Sequence, residues 1–203
     1  MYNMGNVILQ VTQNCNLRCE YCVYSGSYIN RVHTNKRMSF ETAVKTIDFL
    51  AAHSLNCNEV SIGFYGGEPL LEIELIKKAV SYAKEVFGEK KVNFNMTTNA
   101  TLLNMDIADF LVQNDFNITI SLDGPRNIHN KNRIFANSNK GTFDLIMENI
   151  ALIREKYPFF DKKISFNAVI DLKQNVSCTN EFFLNYDTCL LYTSPSPRDS
   201  TSS

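Results

Sequence analysis

No stretch of this 203-residue chain approaches the roughly 20 consecutive apolar residues that a membrane-crossing helix requires. Nor is there a surplus of positive charge. Twenty Lys and Arg stand against 21 Asp and Glu, a net charge of −1, so nothing is spare to neutralise phosphates and nucleic acid is not an expected partner. The first ten residues, Met1 to Gln10, carry neither a charged n-region nor a cleavage site, which makes the cytoplasm the expected location. An even spread of cysteines is also missing: of six, Cys15, Cys19 and Cys22 crowd into eight residues, while Cys57, Cys178 and Cys189 stand apart. That is not the disulfide framework of a small secreted protein; in a reducing compartment a thiol cluster reads as metal or cofactor ligands.

What is present is the material of one globular domain, with 44% hydrophobic and 20% charged residues. Strand and helix patterns alternate from the start. Val7 to Val11 reads as a buried strand, and Ser39 caps a helix carrying Val44, Ile47, Phe49 and Leu50. Glu59 to Phe64 reads as a strand, followed by a helix from about Leu71 to Phe87 that stops at Gly88. Lys91 to Met96, Asn117 to Leu122 and Lys163 to Ile170 read as three more strands, with helices opening at Asn104 and Thr142 between them. Such alternation implies an α/β fold with a parallel sheet, and the polar or glycine-rich segments all follow strands, where they gather at the C-terminal edge.

After Asp171 the alternation fails, and no amphipathic helix is expected there. From Cys189 to Asp199 the chain resembles one reading frame of a transposon-based sequencing adapter. Residues 1–188 are therefore expected to be an incomplete core domain and 189–203 a non-native tail.

The segment Cys15-Asn-Leu-Arg-Cys19-Glu-Tyr-Cys22 puts three soft ligands on the loop leaving the first strand. They can hold three corners of a cubane iron–sulfur cluster and leave the fourth iron open. A zinc site completed by Cys57 or a histidine is the alternative. Gly66-Gly67-Glu68-Pro69 follows the second strand; the glycines permit close backbone approach to a ligand and Glu68 offers charge to a ligand ammonium, or the four residues are a turn with Pro69 opening the next helix. Asn99, in Thr97-Thr98-Asn99, and Ser121, in Ser121-Leu-Asp-Gly-Pro125, fit turn caps as readily as ligand contacts. Asp123 suits either its own turn or a place beside substrate, Arg133 either solvent or a carboxylate, and Tyr21 either the core or the edge of a cofactor.

With aromatic Tyr21 before its last cysteine, the C-x3-C-x2-C motif resembles the signature of radical S-adenosylmethionine enzymes. The GGEP, TN and SLDGP elements, with His129 and Arg133 downstream, resemble further elements of that family in the right order, over about Val7 to Asp171. The resemblance implies a partial (β/α)6, TIM-like barrel truncated after about the fifth strand. It implies a [4Fe–4S] cluster on Cys15, Cys19 and Cys22, and S-adenosylmethionine held by Tyr21, Gly66, Gly67, Glu68, Pro69, Asn99, Ser121 and Arg133. Asp123 would then be the catalytic residue near substrate. The chemistry implied is reductive cleavage of S-adenosylmethionine and hydrogen abstraction from a peptide or protein, with flavodoxin or ferredoxin as electron donor. The segments look most like peptide maturases with a C-terminal SPASM domain, whose cysteines are not found here; sulfatase-type formylglycine maturation stands second, and a noncatalytic zinc or iron–sulfur module third. On this reading, a bulky side chain at Gly67 should weaken cofactor binding and leave iron content normal.

Overall fold

The structure, a computed structural model, describes residues 3–24, 34–170 and 176–185, together with the backbone of 191–195. Six strands, β1 (Asn6–Thr12), β2 (Glu59–Gly66), β3 (Lys91–Thr98), β4 (Asn117–Ser121), β5 (Ile164–Ile170) and β6 (Leu191–Pro195), form one sheet in sequential order. Every pairing is parallel. Helices α1 (Phe40–His53), α2 (Ile73–Phe87), α3 (Met105–Gln113), α4 (Arg126–Asn132), α5 (Phe143–Lys156) and α6 (Val176–Leu184) fill the connections. Sequential order with crossover helices is the winding of a TIM-like barrel, here an open one edged by β1 and β6. No helix among the described residues is long and apolar enough to cross a membrane.

Side-chain alternation sorts the two faces of the sheet. Val60, Ile62, Phe64, Phe94, Met96, Ile118, Ile120 and Phe166 are buried beneath the helices. The rings of Phe64, Phe94 and Phe116 stack at 5.4–6.5 Å between centroids. Helix α2 supplies Ile76, Ala79, Val80, Ala83 and Phe87, at the spacing of one helical stripe. Local signals act where the sequence places them: the Ser39 side chain accepts from the Thr42 amide at 3.2 Å, and Asn104 from the Ile107 amide at 2.9 Å.

The other face is mainly polar, with the Glu59–Lys91 ion pair at its N-terminal edge. Ser61, Asn95, Thr97, Asn117 and Thr119 line a hollow there, with Asn95 donating to Ser61 at 2.7 Å and Asn117 to Asn95 at 3.2 Å. A closed TIM barrel fills this space with branched apolar side chains. Here it stays open to a ligand.

Two helices were not expected. The sequence of α4 has no apolar stripe; it starts from Pro125, whose φ of −63° suits helix entry, and it buries a single side chain, His129. Helix α6 follows β5 where none was foreseen. Thr179 and Phe183, one turn apart, are its only buried residues, a stripe too thin to register as a pattern. Thr179 packs over Gly124, and Phe183 lies 5.7 Å from the ring of Phe166. The segment read as a tail contributes β6, paired through its backbone to β5; Cys189 itself lies outside the described residues.

Candidate functional site

Strand β1 runs out at Thr12 into the loop carrying the three cysteines, and two neighbours fix that loop's path. On one side the Gly67 amide donates to the Thr12 carbonyl and the Glu68 amide to the Asn14 carbonyl, both at 2.9 Å. The two backbones come so close that a Cβ on Gly66 would sit 2.2 Å from the Thr12 oxygen, and one on Gly67 2.1 Å from the Asn14 oxygen. Gly66 also adopts φ +152°, a conformation that side chains disfavour. The glycines are thus required by the cysteine loop itself rather than by a ligand. On the other side, Leu17 bridges Phe135, and the Arg18 amide donates to the Ile134 carbonyl at 2.9 Å.

The three sulfurs occupy different surroundings. Cys19 is buried, while Cys15 and Cys22 are half-buried. Burial pushes the Cys15 thiol up to about 12 and the Cys19 thiol to about 11, the Arg133 guanidinium only partly offsetting the latter. Unliganded, both keep their protons, so a metal centre would have to displace them. Amide N–H groups of Leu17 and Tyr24 approach the Cys15 and Cys22 sulfurs, each at 3.4 Å. Among the described residues, no three Cys, His, Asp or Glu side chains gather closely enough to hold one metal ion. Three soft sulfurs set apart on one loop fit a cubane, whose ligands bind separate irons, better than one tetrahedral zinc.

Above them lies a cavity of 350 Å³, within the range of small-molecule sites. Nine of the residues expected from sequence line it: Cys15, Cys19, Tyr21, Cys22, Gly66, Gly67, Asn99, Ser121 and Arg133. Three others do not. Glu68 is fully buried behind the wall, its carboxylate accepting from the Leu70 amide at 3.0 Å, the Thr98 hydroxyl at 2.6 Å and the Asn99 amide at 2.7 Å. Burial raises it to about 6. It ties the end of β2 to the end of β3, both oxygens engaged within the protein and neither reaching the cavity. Pro69 is buried at the start of the 3₁₀ turn Pro69–Glu72.

Asp123 is the third, 2% exposed and surrounded by donors. Arg133 reaches it through Nε at 2.9 Å and Nη2 at 3.1 Å, the Val169 amide at 3.1 Å, and the Tyr21 hydroxyl closes the set. With its acceptor positions filled, Asp123 anchors the cavity wall. It holds Arg133 so that the guanidinium lies 5.4 Å from the Tyr21 ring, with Nη1 making no hydrogen bond to a described residue.

His129 buttresses this arrangement. Its Nδ1 accepts from the Asp123 amide at 3.3 Å, so the proton sits on Nε2, which donates to Thr142 at 2.9 Å; Thr142 donates on to the Arg133 carbonyl at 3.2 Å. Burial, helped by the Arg133 charge and opposed by the Asp123 carboxylate, lowers its pKa from 6.5 to about 4. A depressed folded-state pKa stabilises above pH 6.5, and that contribution is lost as pH falls through 4. Denaturant titrations should show about 3 kcal/mol of acid destabilisation across that window that His129→Asn lacks. Equal pH slopes in the two proteins would contradict the placement.

Sequence reasoning missed Tyr24, Tyr65, Asn167 and Val169, which also line the cavity. Tyr24 and Tyr65 face each other at 6.4 Å, and Tyr65 is exposed. Tyr65, directly before the glycines, was findable as the last inward position of β2; Asn167 and Val169 are inward positions of β5 with no motif to flag them.

The pattern of the Radical SAM superfamily matches residues 9–182. A cysteine-type anaerobic sulfatase-maturating enzyme of Clostridium novyi is 33% identical over 180 residues, covering 87% of this chain and 46% of that protein. A radical SAM cyclopropyl synthase of Paramaledivibacter caminithermalis is 25% identical over 186 residues, covering 82% of this chain and 38% of the other. Among solved structures, native anSMEcpe with bound AdoMet and Cp18Cys peptide is similar at a TM-score of 0.78 and 26% identity, over 94% of this chain and 50% of that one. The chain spans about half the length of the curated relatives it matches.

Proposed function

Because the chain belongs to the radical SAM superfamily, we propose that Cys15, Cys19 and Cys22 hold a [4Fe–4S] cluster and that S-adenosylmethionine binds in the cavity above them. When bound, the pair supplies one-electron reductive cleavage of S-adenosylmethionine and a 5′-deoxyadenosyl radical that abstracts hydrogen from a peptide or protein. The observation that carries this reading is the convergence of the three cysteines with Ser121 and Arg133 on one cavity, from segments more than a hundred residues apart.

The chain's residues have distinct tasks. Arg133, fixed by Asp123 through Nε and Nη2, keeps Nη1 to donate to a carboxylate in the cavity. Gly66 and Gly67 let the cysteine loop lie against β2. Val169 gives the cavity wall an apolar side chain beside a radical site. Asp123 is a positioning residue in this proposal, since its oxygens are occupied. The amide and hydroxyl side chains of the inner hollow, Ser61, Asn95, Thr97, Asn117 and Thr119, suit an extended peptide, whose amides need partners along their length. An external one-electron donor protein, of flavodoxin or ferredoxin type, is required.

Peptide maturation with thioether formation is the first reading for the whole protein. Formylglycine formation is the second, favoured by 33% identity to a cysteine-type sulfatase-maturating enzyme. The assignment of 189–203 to a translated adapter belongs to the same proposal; an exposed strand edge templates backbone pairing with little regard to sequence, so the pairing of β6 is compatible with it.

The test is anaerobic incubation of the reconstituted protein with reductant, S-adenosylmethionine and a cysteine-containing peptide. Formation of 5′-deoxyadenosine and methionine is expected. In the peptide, loss of two hydrogens with sulfur retained marks a thioether, and loss of sulfur marks formylglycine. Absence of S-adenosylmethionine cleavage by iron-loaded protein would overturn the proposal.

A further inference from the structure

Asn99 was expected to touch the cofactor, yet both ends of its side chain are committed within the protein. Its Oδ1 accepts from the Thr101 amide at 3.0 Å and the Thr101 hydroxyl at 2.7 Å. A backbone N–H can only donate, so the oxygen must face Thr101 and the NH2 group must point the other way. There Nδ2 lies 2.9 Å from Asn16 Oδ1 and 3.8 Å from the Cys15 sulfur. Asn16 closes the ring by donating from its own Nδ2 to the Thr101 oxygen at 2.8 Å. Each hydrogen has one acceptor: Asn99 gives one to Asn16 and one to Cys15, Asn16 gives one to Thr101, and Thr101 gives its hydroxyl proton to Asn99. Asn99 and Thr101 are 6% and 8% exposed, so water does not compete.

We propose that Asn99 is a positioning residue for the cluster, whose side-chain N–H, locked by Asn16 and Thr101, donates to the Cys15 sulfur and raises the cluster's reduction potential. This rests on the reading that Cys15 is a cluster ligand. Cys15 already receives the Leu17 amide, so the Asn99 donor is its second, and among the described residues no other cysteine of the three receives a side-chain donor. A donor aimed at a ligand sulfur stabilises the more negative, reduced state; hydrogen bonds of this kind are among the factors that set iron–sulfur potentials. The ring does more than supply one donor. The Thr101 backbone N–H sets which end of Asn99 faces the sulfur, and the Thr101 hydroxyl, which does not touch the sulfur, closes the ring that holds the donor in place.

The experiment is a redox titration of the reconstituted protein without S-adenosylmethionine, followed by the paramagnetic signal of the reduced cluster. Asn99→Asp keeps the oxygen that Thr101 uses and replaces the donor facing Cys15 with an acceptor. Its midpoint should move to more negative potential. Thr101→Val keeps the backbone N–H that orients Asn99 but removes the hydroxyl that Asn99 Oδ1 accepts from and that Asn16 donates to. With the ring opened the donor is held less firmly, and the midpoint should move the same way by less. If Asn99→Asp fails to load iron, Thr101→Val carries the comparison. Two iron-loaded variants titrating at the parent's potential would overturn the inference and leave the cluster assignment standing. A parent that forms no cluster would overturn both.

Discussion

Gly67→Val should lose most of its iron as well as its affinity for S-adenosylmethionine. From sequence alone the expected outcome is milder, a blocked cofactor with iron content unchanged. The structure reverses this, because a Cβ at residue 67 would meet the Asn14 carbonyl oxygen at 2.1 Å, its carbon at 2.5 Å and the Gln13 oxygen at 2.8 Å. These are backbone atoms at the root of the loop that carries Cys15, and they cannot swing aside as a side-chain tip would. Either β1 separates from β2 at this point or the loop moves, and the paired amides of Gly67 and Glu68 lose the Thr12 and Asn14 carbonyls. A destabilisation of about 3 kcal/mol is expected, the upper end for overpacking. Iron and sulfide assays on anaerobically reconstituted protein decide the matter; normal iron with weakened cofactor binding would restore the milder reading.

The second large effect belongs to Asp123→Asn. The carboxylate and the Arg133 guanidinium are 1% and 8% exposed, so removing one charge leaves the other buried without a partner. Breaking such a pair costs about 3–5 kcal/mol. The amide is also a poor substitute geometrically: Arg133, Tyr21 and the Val169 amide all present donors, and one of them must face the new NH2 group. Folding stability should fall by that amount, and cofactor affinity with it, since Arg133 is no longer held. Adding Arg133→Met should recover stability without recovering affinity, because two apolar or neutral groups bury at less cost than an orphaned charge. Stability within about 0.5 kcal/mol of the parent in Asp123→Asn would show that the pair is more solvated than its burial indicates.

Much of this molecule is written in short-range signals. The alternation of Val60, Ile62 and Phe64, the caps at Ser39 and Asn104, and the placement of polar segments after strands give the parallel sheet and its C-terminal site. The cysteines and six more of the residues lining the cavity could be named because motif and strand end coincide; Asn167 and Val169 carry no motif and could not. What stayed hidden depends on partners distant in sequence. Glu68 looks like an available charge until Thr98 and Asn99, some thirty residues on, are seen to occupy it. Asp123 looks like a candidate for chemistry until Arg133 and Val169 surround it. Helix α6 was missed because it needs only two residues, Thr179 and Phe183, to dock. Side-chain satisfaction is a three-dimensional property, and motif spacing does not encode it.

The most direct measurement is iron and acid-labile sulfide per chain after anaerobic reconstitution, compared between the parent and a variant with Cys15, Cys19 and Cys22 all replaced by alanine. Four irons with matching sulfide in the parent, a reducible paramagnetic signal, and neither iron nor signal in the variant are the expected results. One zinc per chain in the parent, or full iron retention in the variant, would contradict the assignment of a [4Fe–4S] cluster to these three residues.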